Sequence, residues 1–473
     1  MDILIKNAFL LTMEGPGVGL IEDGAVVVKG NLIHDVGSTD ELTRKYKAHR
    51  TIDSKGKVVM PGLIDGHIHT GLALLRGMAQ DTYHWLQKGI GPFKPHFTRD
   101  DIVKGSMMNI LEGLKAGTTT FCDYDYPMTE IAHNYLKIGV RARLAATMNE
   151  FPPDLHRLNI GELYPFDPSI GEHMLQENVR LMEEWHERGN GRITCVFGPQ
   201  GPDMMSRELM LEVKNLAEKY ETKIHMHVAQ GDREIDQMMK RYNKRSVEFL
   251  DEIGYLNERL MAVHLTEATR EEAELVARRG ASMLYCAGSI GIIDGLVPPV
   301  MEFLNAGGTA GLGTDQAPGN NCSNMFNEMK FAAILNKVKK SDPTVMPAWK
   351  VLRMATIEGA RAIGLEKEIG SLKPGKKADL IIVNLKEPGL CPVITHPVRN
   401  IVPNLVYSAR GHEVETVIVD GSIVVENRKV LTVEEEKVVY QAQKAAEGLA
   451  ARAAEDFMKS GTKTVNMMEK GYL

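Results

Sequence analysis

Cysteine is scarce in this chain. The five copies among 473 residues (Cys122, Cys195, Cys286, Cys322 and Cys391) are an odd number with no short paired spacing, which argues against both a disulfide framework and a zinc ribbon. For at least four of them the expectation is burial as small apolar side chains. Long apolar runs are missing too: none approaches the ~20 residues needed to span a bilayer. Residues 1–10 have neither a basic start nor a small-residue cleavage site, so the protein is expected in the cytosol. Charge is not blocked. The 56 basic and 62 acidic residues leave a net −6 spread along the chain, and nothing in that pattern points to nucleic acid or an anionic membrane. A glycine-rich phosphate turn after the first barrel-like strand is also absent, which disfavours a doubly wound nucleotide-binding sheet.

What is present is a soluble globular composition, 43% hydrophobic and 25% charged, and a length that fits a barrel of ~250 residues plus a smaller partner. The first sixty residues read as β segments: ILIKNAFLLTM, GAVVVKGNLIHDV with a turn at Gly30-Asn31, and TIDSKGKVVMPG. The same style returns late, in KKADLIIVNL, NLVYSA and VETVIVDGSIVVENRKVL, with Asp420-Gly421 as a hairpin turn. The early set has too few apolar residues to close a core alone. A small β-sandwich domain built from both termini follows, spanning 1–59 and 368–432. Between them lie eight β runs: LIDGHIH (63–69), TTTFCD (118–123), ARLAATM (142–148), ITCVFG (193–198), KIHMHV (223–228), LMAVH (260–264), ASMLYC (281–286) and TAGLGTD (309–315). Helical patterns separate most of them. Val103, Met107, Ile110, Leu111 and Leu114 form one apolar stripe that stops at Gly117, and Thr269 with Glu272 makes a capping box for a helix ending before Gly280. Residues 60–367 are therefore expected to form an α/β fold of the (β/α)₈ (TIM) barrel kind, with its active site at the C-terminal ends of the strands. Residues 433–473 read as a helical tail that packs.

Chemistry is concentrated at those strand ends. In IHMHVAQGDRE, alternation turns His225 and His227 to the same face. Strand one ends in His67 and His69, strand five in His227, strand six in His264 and strand eight in Asp315. Imidazole and carboxylate suit Zn²⁺ or Fe²⁺, and ligands from separate strands leave an open position for water. A lone His264 or His225 reads more readily as a hydrogen-bonded core residue. Five metal-competent side chains on one rim reverse that reading for the set.

The ordered segments PGLIDGHIHT, LLRGMAQD, AGTTTF, HMHVAQ, MAVH, GLGTD, ATIEGARAIGL and GSLKPGKKADLIIVNL resemble the amidohydrolase superfamily, in its triazine hydrolase and methylthioadenosine/S-adenosylhomocysteine deaminase branch. The resemblance implies a metal-bearing barrel with His67, His69, His227 and Asp315 as ligands. It implies that His264 holds the attacking water or the departing group, and that His225 stands behind the ligands. No lysine stands at a strand end where a carbamylated two-metal bridge would need it, so one divalent ion is expected, zinc or alternatively iron. Such an ion lowers the pKa of its water towards about 7. Asp315 then takes the proton while a ring carbon of a nitrogen heterocycle is attacked and ammonia or an amine leaves. Loss of halide, hydrolysis of a cyclic amide, and a non-catalytic assembly module are the alternatives; the last predicts a degraded metal site. A small-molecule substrate and a homo-oligomer, dimer or larger, are the expected partners.

Three departures from the family pattern fall on the rim. The usual His-x-x-Glu is His227-Val228-Ala229-Gln230, Pro-His-Ala-Pro is Pro199-Gln200-Gly201-Pro202, and His-Asn-Pro-x-Ser-Asn is Cys286-Ala287-Gly288-Ser289-Ile290. Glutamine cannot shuttle a proton, although its amide donates one hydrogen bond and accepts another. Losing a general acid costs about 10² to 10⁴ in rate. Either Glu234 or Asp232 reaches in, or the substrate has a leaving group that needs no ring protonation, or Asp315 carries both transfers. Gln230, Gln200, Arg76 and Trp85 are the expected substrate contacts, with pairing to a neighbouring acid as the other reading of Arg76. Asn320, Asn321, Ser323 and Asn324 either contact substrate or cap the next helix, and capping is favoured. Residues 150–189 are a candidate lid or subunit contact.

Overall fold

Alternating apolar residues build the first strands: β1 (Ile3–Leu11), β2 (Leu20–Lys29), β3 (Leu32–Ser38), β4 (Arg50–Asp53) and β5 (Lys57–Pro61). Ile3, Ile5, Val26 and Val28 face one apolar core, while Leu4, Ala25 and Val27 face another, as the two-residue period of a strand requires. The computed structural model describes residues 1–152, 159 and 161–473, apart from the side chain of Asp232.

The barrel strands are β6 (Leu63–His69), β7 (Thr118–Asp125), β8 (Arg141–Met148), β9 (Ile193–Cys195), β10 (Gly198–Pro199), β11 (Ile224–Val228), β12 (Leu260–His264), β13 (Ser282–Tyr285), β14 (Ala310–Leu312) and β15 (Asp315–Gln316). All pair in parallel. Two of the eight expected runs are broken. The fourth divides into β9 and β10, and its junction Phe197 bridges to Ile224 of β11. The eighth divides at Gly313-Thr314, so that β14 pairs with β13 while β15 pairs with β6. That break closes the ring. A Cβ on Gly313 would meet the His67 backbone N and O at 2.8 Å, which leaves glycine as the residue that fits.

The chain then returns to the terminal sheet through β16 (Leu380–Asn384), β17 (Val414–Val419), β18 (Ser422–Glu426) and β19 (Lys429–Val430). Antiparallel pairing of β16 with β5 welds the two ends into one nine-stranded sheet, ordered β19-β18-β17-β16-β5-β1-β2-β3 with β4 on β1. Leu380, Ile382 and Ile418 enter the core begun by Ile3 and Ile5, so the β-sandwich unit draws on both termini. Its hairpin turns touch: a Cβ on Gly421, at φ +76°, would strike Gly30 O at 2.1 Å.

NLVYSA is not a strand. Its first four residues lie in the helix Ile401–Tyr407, where Ile401 and Leu405 are buried four apart; so short an apolar run fits either period. The expected capping box stands at the helix Arg270–Arg278, and a second, formed by Thr98 and Asp101, opens the helix Arg99–Lys115. Of the cysteines only Cys122, Cys195 and Cys286 are buried, fewer than expected; Cys322 is half-buried and Cys391 exposed. Part of the segment 150–189 is an ordinary barrel helix, Pro168–Trp185, capped by Asp167 and burying Leu181, Met182 and Trp185. Residues 153–158 and 160 of that segment lie outside the described residues. The tail helix Glu435–Lys459 packs Ala442, Ala445 and Leu449 on Leu74, Leu75, Ile90 and Phe93, bracing the segment that follows β6. Among the described residues no helix is long and apolar enough to cross a membrane.

Candidate metal centre

Alternation along β6 turns Asp65, His67 and His69 to one side, and the ends of β11, β12 and β15 bring His227, His264 and Asp315 to meet them. His67 Nε2 and His69 Nε2 stand 3.4 and 3.5 Å from Asp315 Oδ1, and His264 Nε2 stands 3.8 Å from Oδ2. The His227 ring stacks between those of His69 and His264, with centroids 5.4 and 5.3 Å away. Ligand atoms of His67, His227 and His264 lie within 4.8 Å of one another, as do those of His67, His69 and Asp315.

These donors are unspent. His67 Nε2 and both ring nitrogens of His264 are buried with no hydrogen-bond partner among the described residues, and each such orphan costs about 1–3 kcal/mol unless something binds it. Burial holds the imidazoles of His67 and His264 well below the usual range. Burial, with neighbouring His69, brings His227 down to about 4. Neutral imidazole is the ligand form. Remaining ring atoms are committed elsewhere: His227 Nδ1 donates to Gln200 O at 2.7 Å, and His67 Nδ1 pairs with His225 Nε2 at 2.9 Å. Both bonds aim Nε2 inward, and they place His225 behind His67. His264 and Asp315 have φ of +75° and +61°, left-handed backbone that costs about 1–3 kcal/mol and clusters at working sites.

Some supporting residues escaped the sequence reading. Asp65 accepts from Thr314 N at 2.9 Å and Thr314 Oγ1 at 2.5 Å, pinning the break in strand eight beneath Asp315; its alternation with His67 and His69 was the available signal. Ser289 Oγ donates to Asp315 Oδ2 at 2.5 Å. Nothing local marks that contact. Buried Glu328 accepts from Gly288 N and Asn320 Nδ2, both at 3.0 Å, tying together the segments after β13 and β15. Burial pushes the Glu328 carboxyl from its ordinary 4.5 up to about 8. With the folded value raised, its stabilising contribution is complete below 4.5 and lost as pH rises through about 8. Glu328→Gln should therefore melt with a flatter pH dependence across that window, and parallel melting curves for variant and wild type would rule this out.

On the rim, Gln230 precedes the helix Gly231–Tyr242, and its amide has no partner among the described residues. Glu234 does not reach into the site. Its two oxygens accept from Ala229 N at 2.7 Å and Gln230 N at 2.8 Å, because one helical turn folds the carboxylate back onto the loop. Burial lifts it to about 7. The Asp232 side chain lies outside the described residues. Replacing Glu234 by Ala leaves two buried N–H groups unpaired and should cost about 1–3 kcal/mol for each in chemical denaturation; a loss below 1 kcal/mol would show that water replaces the brace. Gln200 Oε1 accepts from Asn149 Nδ2 at 2.6 Å, leaving the Gln200 amide N–H groups for another partner. Arg76 is already paired with Glu112 and also donates to Asn321 O at 3.2 Å. The Trp85 indole nitrogen is buried without a partner among the described residues. Asn324 caps the helix Met325–Lys340, while Asn320, Asn321 and Ser323 fasten the loop to Thr314, Gly77 and Asn109.

A His and Asp ring at the C-terminal mouth of a parallel barrel invites comparison with known proteins, and residues 58–424 match the amidohydrolase family. The chain belongs to that family. It is 37% identical over 454 residues to a 5'-deoxyadenosine deaminase of Methanosarcina acetivorans, covering 96% of this chain and 99% of the relative. A 5-methylthioadenosine/S-adenosylhomocysteine deaminase of Pelotomaculum thermopropionicum is 36% identical over 453 residues, with 95% and 99% covered. Among solved structures, a zinc-bound adenosine deaminase from Xanthomonas campestris aligns with a TM-score of 0.87 at 29% identity, over 95% of this chain and 99% of that one. This amidohydrolase is thus a hydrolase of carbon–nitrogen bonds other than peptide bonds, and a divalent metal ion is supported by its His and Asp cluster and by the zinc-bound neighbour.

Proposed function

We propose that this amidohydrolase removes an amino group from a ring carbon of a nitrogen heterocycle, releasing ammonia or an amine. One zinc ion, with iron as the alternative, would be held by His67, His69, His227 and Asp315. The observation that carries the reading is the convergence of His67 Nε2 and His69 Nε2 on Asp315 Oδ1 at 3.4 and 3.5 Å. When bound, such an ion supplies a Lewis acid that makes water nucleophilic at neutral pH. Asp315 would be one of the ligands of such an ion and would hold a proton at Oδ2, whose direction Ser289 fixes. His264 Nε2 orients the attacking water or the departing group. Gln230 and Gln200 bind the heterocycle by amide hydrogen bonds, and the Trp85 N–H adds a donor. Arg76 serves by holding the loop around Asn321. Deaminases of adenosine-type nucleosides among the relatives make those nucleosides the first substrates to try.

A second reading draws support from Gln230 and from the backward turn of Glu234: with neither residue offering an acid to the ring, a substituent such as halide, which leaves without ring protonation, is also within reach. Zinc-loaded protein assayed for ammonia from adenosine-type nucleosides, and for halide from halogenated triazines, separates the two. Halide without ammonia would sink the aminohydrolase reading. One hydrogen bond of about 1–1.5 kcal/mol corresponds to about a tenfold change in rate. Gln230→Ala should lower kcat/KM by about that factor, and an unchanged value would remove Gln230 from the site.

A further inference from the structure

Cys286 follows β13 and precedes the helix Ala287–Ile293, with no exposed surface. Its Sγ, a ring nitrogen of His264 and an oxygen of Asp315 all lie within 4.8 Å of one another. Asp315 has two working faces. Oδ1 looks towards His67 and His69, whereas Oδ2 looks towards His264 Nε2 at 3.8 Å. His264 is fully buried, and neither of its ring nitrogens has a partner among the described residues. Ser289 Oγ donates to Oδ2 at 2.5 Å and the Gln316 amide nitrogen reaches the same oxygen at 2.7 Å, so a cation bound at Oδ2 would displace the Gln316 contact.

We propose that His264, Cys286 and Asp315 Oδ2 form a second metal position beside the first, selective for a soft divalent cation such as zinc or cadmium. The donors come from three successive strand ends, β12, β13 and β15. Thiolate with imidazole and carboxylate is a zinc-type set, unlike the all-oxygen shells of magnesium and calcium. Binding replaces the thiol proton: the S–H bond breaks, the proton goes to solvent, and a sulfur–metal bond forms. Asp315 would serve both positions, one carboxylate oxygen for each. A second ion would withdraw His264 and Oδ2 from the roles proposed above and so inhibit. That consequence rests on the proposed function; the metal position does not.

Titration of metal-free protein with cobalt(II) tests it, because a thiolate ligand adds a sulfur-to-cobalt charge-transfer band in the near ultraviolet. The first equivalent should bind without that band and the second should bring it. Cys286→Ser should keep the first equivalent and lose both the second and the band, with circular dichroism reporting the fold. No band at any loading, a band arriving with the first equivalent, or a band that persists in the variant overturns the position. The wild-type titration decides the first two even if the variant does not fold. Turnover by wild type should fall between one and two equivalents; equal turnover overturns the inhibition alone, and none at either loading counts against the proposed function and not against the metal position.

Discussion

Asp315→Asn is expected to lower kcat by about 10² to 10⁴ while zinc at saturating concentration stays bound. Asparagine keeps a ligating oxygen where Oδ1 faces His67 and His69 at 3.4 and 3.5 Å, so the ring retains its shape. What it loses is the proton at Oδ2. Among the described residues two nearby carboxylates are committed elsewhere: Glu234 to Ala229 N and Gln230 N, and Asp65 to Thr314. Ser289 can reverse its bond and accept from the new amide, so the side chain stays in place. Metal content and kcat measured on one sample decide the matter. A kcat within tenfold of wild type, with the metal bound, would move the proton work to another group.

The barrel and its ring were legible because both write themselves at strand scale. Alternation places His67 with His69, and a strand end delivers His227, His264 and Asp315 to one mouth whatever the intervening helices do. The rim was not legible, since its side chains are aimed by partners that no sequence period marks, some distant in the chain and one within a single helical turn. Arg76 meets Glu112 from the next helix, Gln200 is turned by Asn149, and Glu234 bends back within its own helical turn. The breaks in strands four and eight were hidden for another reason: ITCVFG and TAGLGTD keep their β character through the break, and only ring closure onto β6 and β11 demands it. Cys286 looked like any small buried residue. Its place beside His264 and Asp315 depends on three strands being neighbours, which no local pattern records.

The seam between barrel and terminal sheet should be the costliest place to remove a charge. Arg141, at the start of β8, grips Asp379 with Nε to Oδ2 at 2.6 Å and Nη2 to Oδ1 at 3.1 Å, and the two side chains are 3% and 2% exposed. Asp379 Oδ1 also accepts from Asp420 N at 2.7 Å, so the pair fixes the turn whose Gly421 packs on Gly30. Asp379→Ala would remove the two shortest bonds of a buried guanidinium, leaving it Asp420 Oδ1 and Gly191 O, both at 3.4 Å, and is expected to cost about 3–5 kcal/mol in chemical denaturation. The double variant Arg141→Met with Asp379→Leu should recover part of that loss, because apolar replacement of both partners removes the under-paired guanidinium, while Asp420 keeps Lys377 at 4.0 Å. Since Arg141 opens its strand at the end of the barrel opposite the metal ring, kcat of the surviving folded fraction should stay unchanged. A single-variant cost below 1 kcal/mol would mean that water reaches the seam and that apolar contacts such as those of Ile381 and Val414 with the barrel core hold the two units.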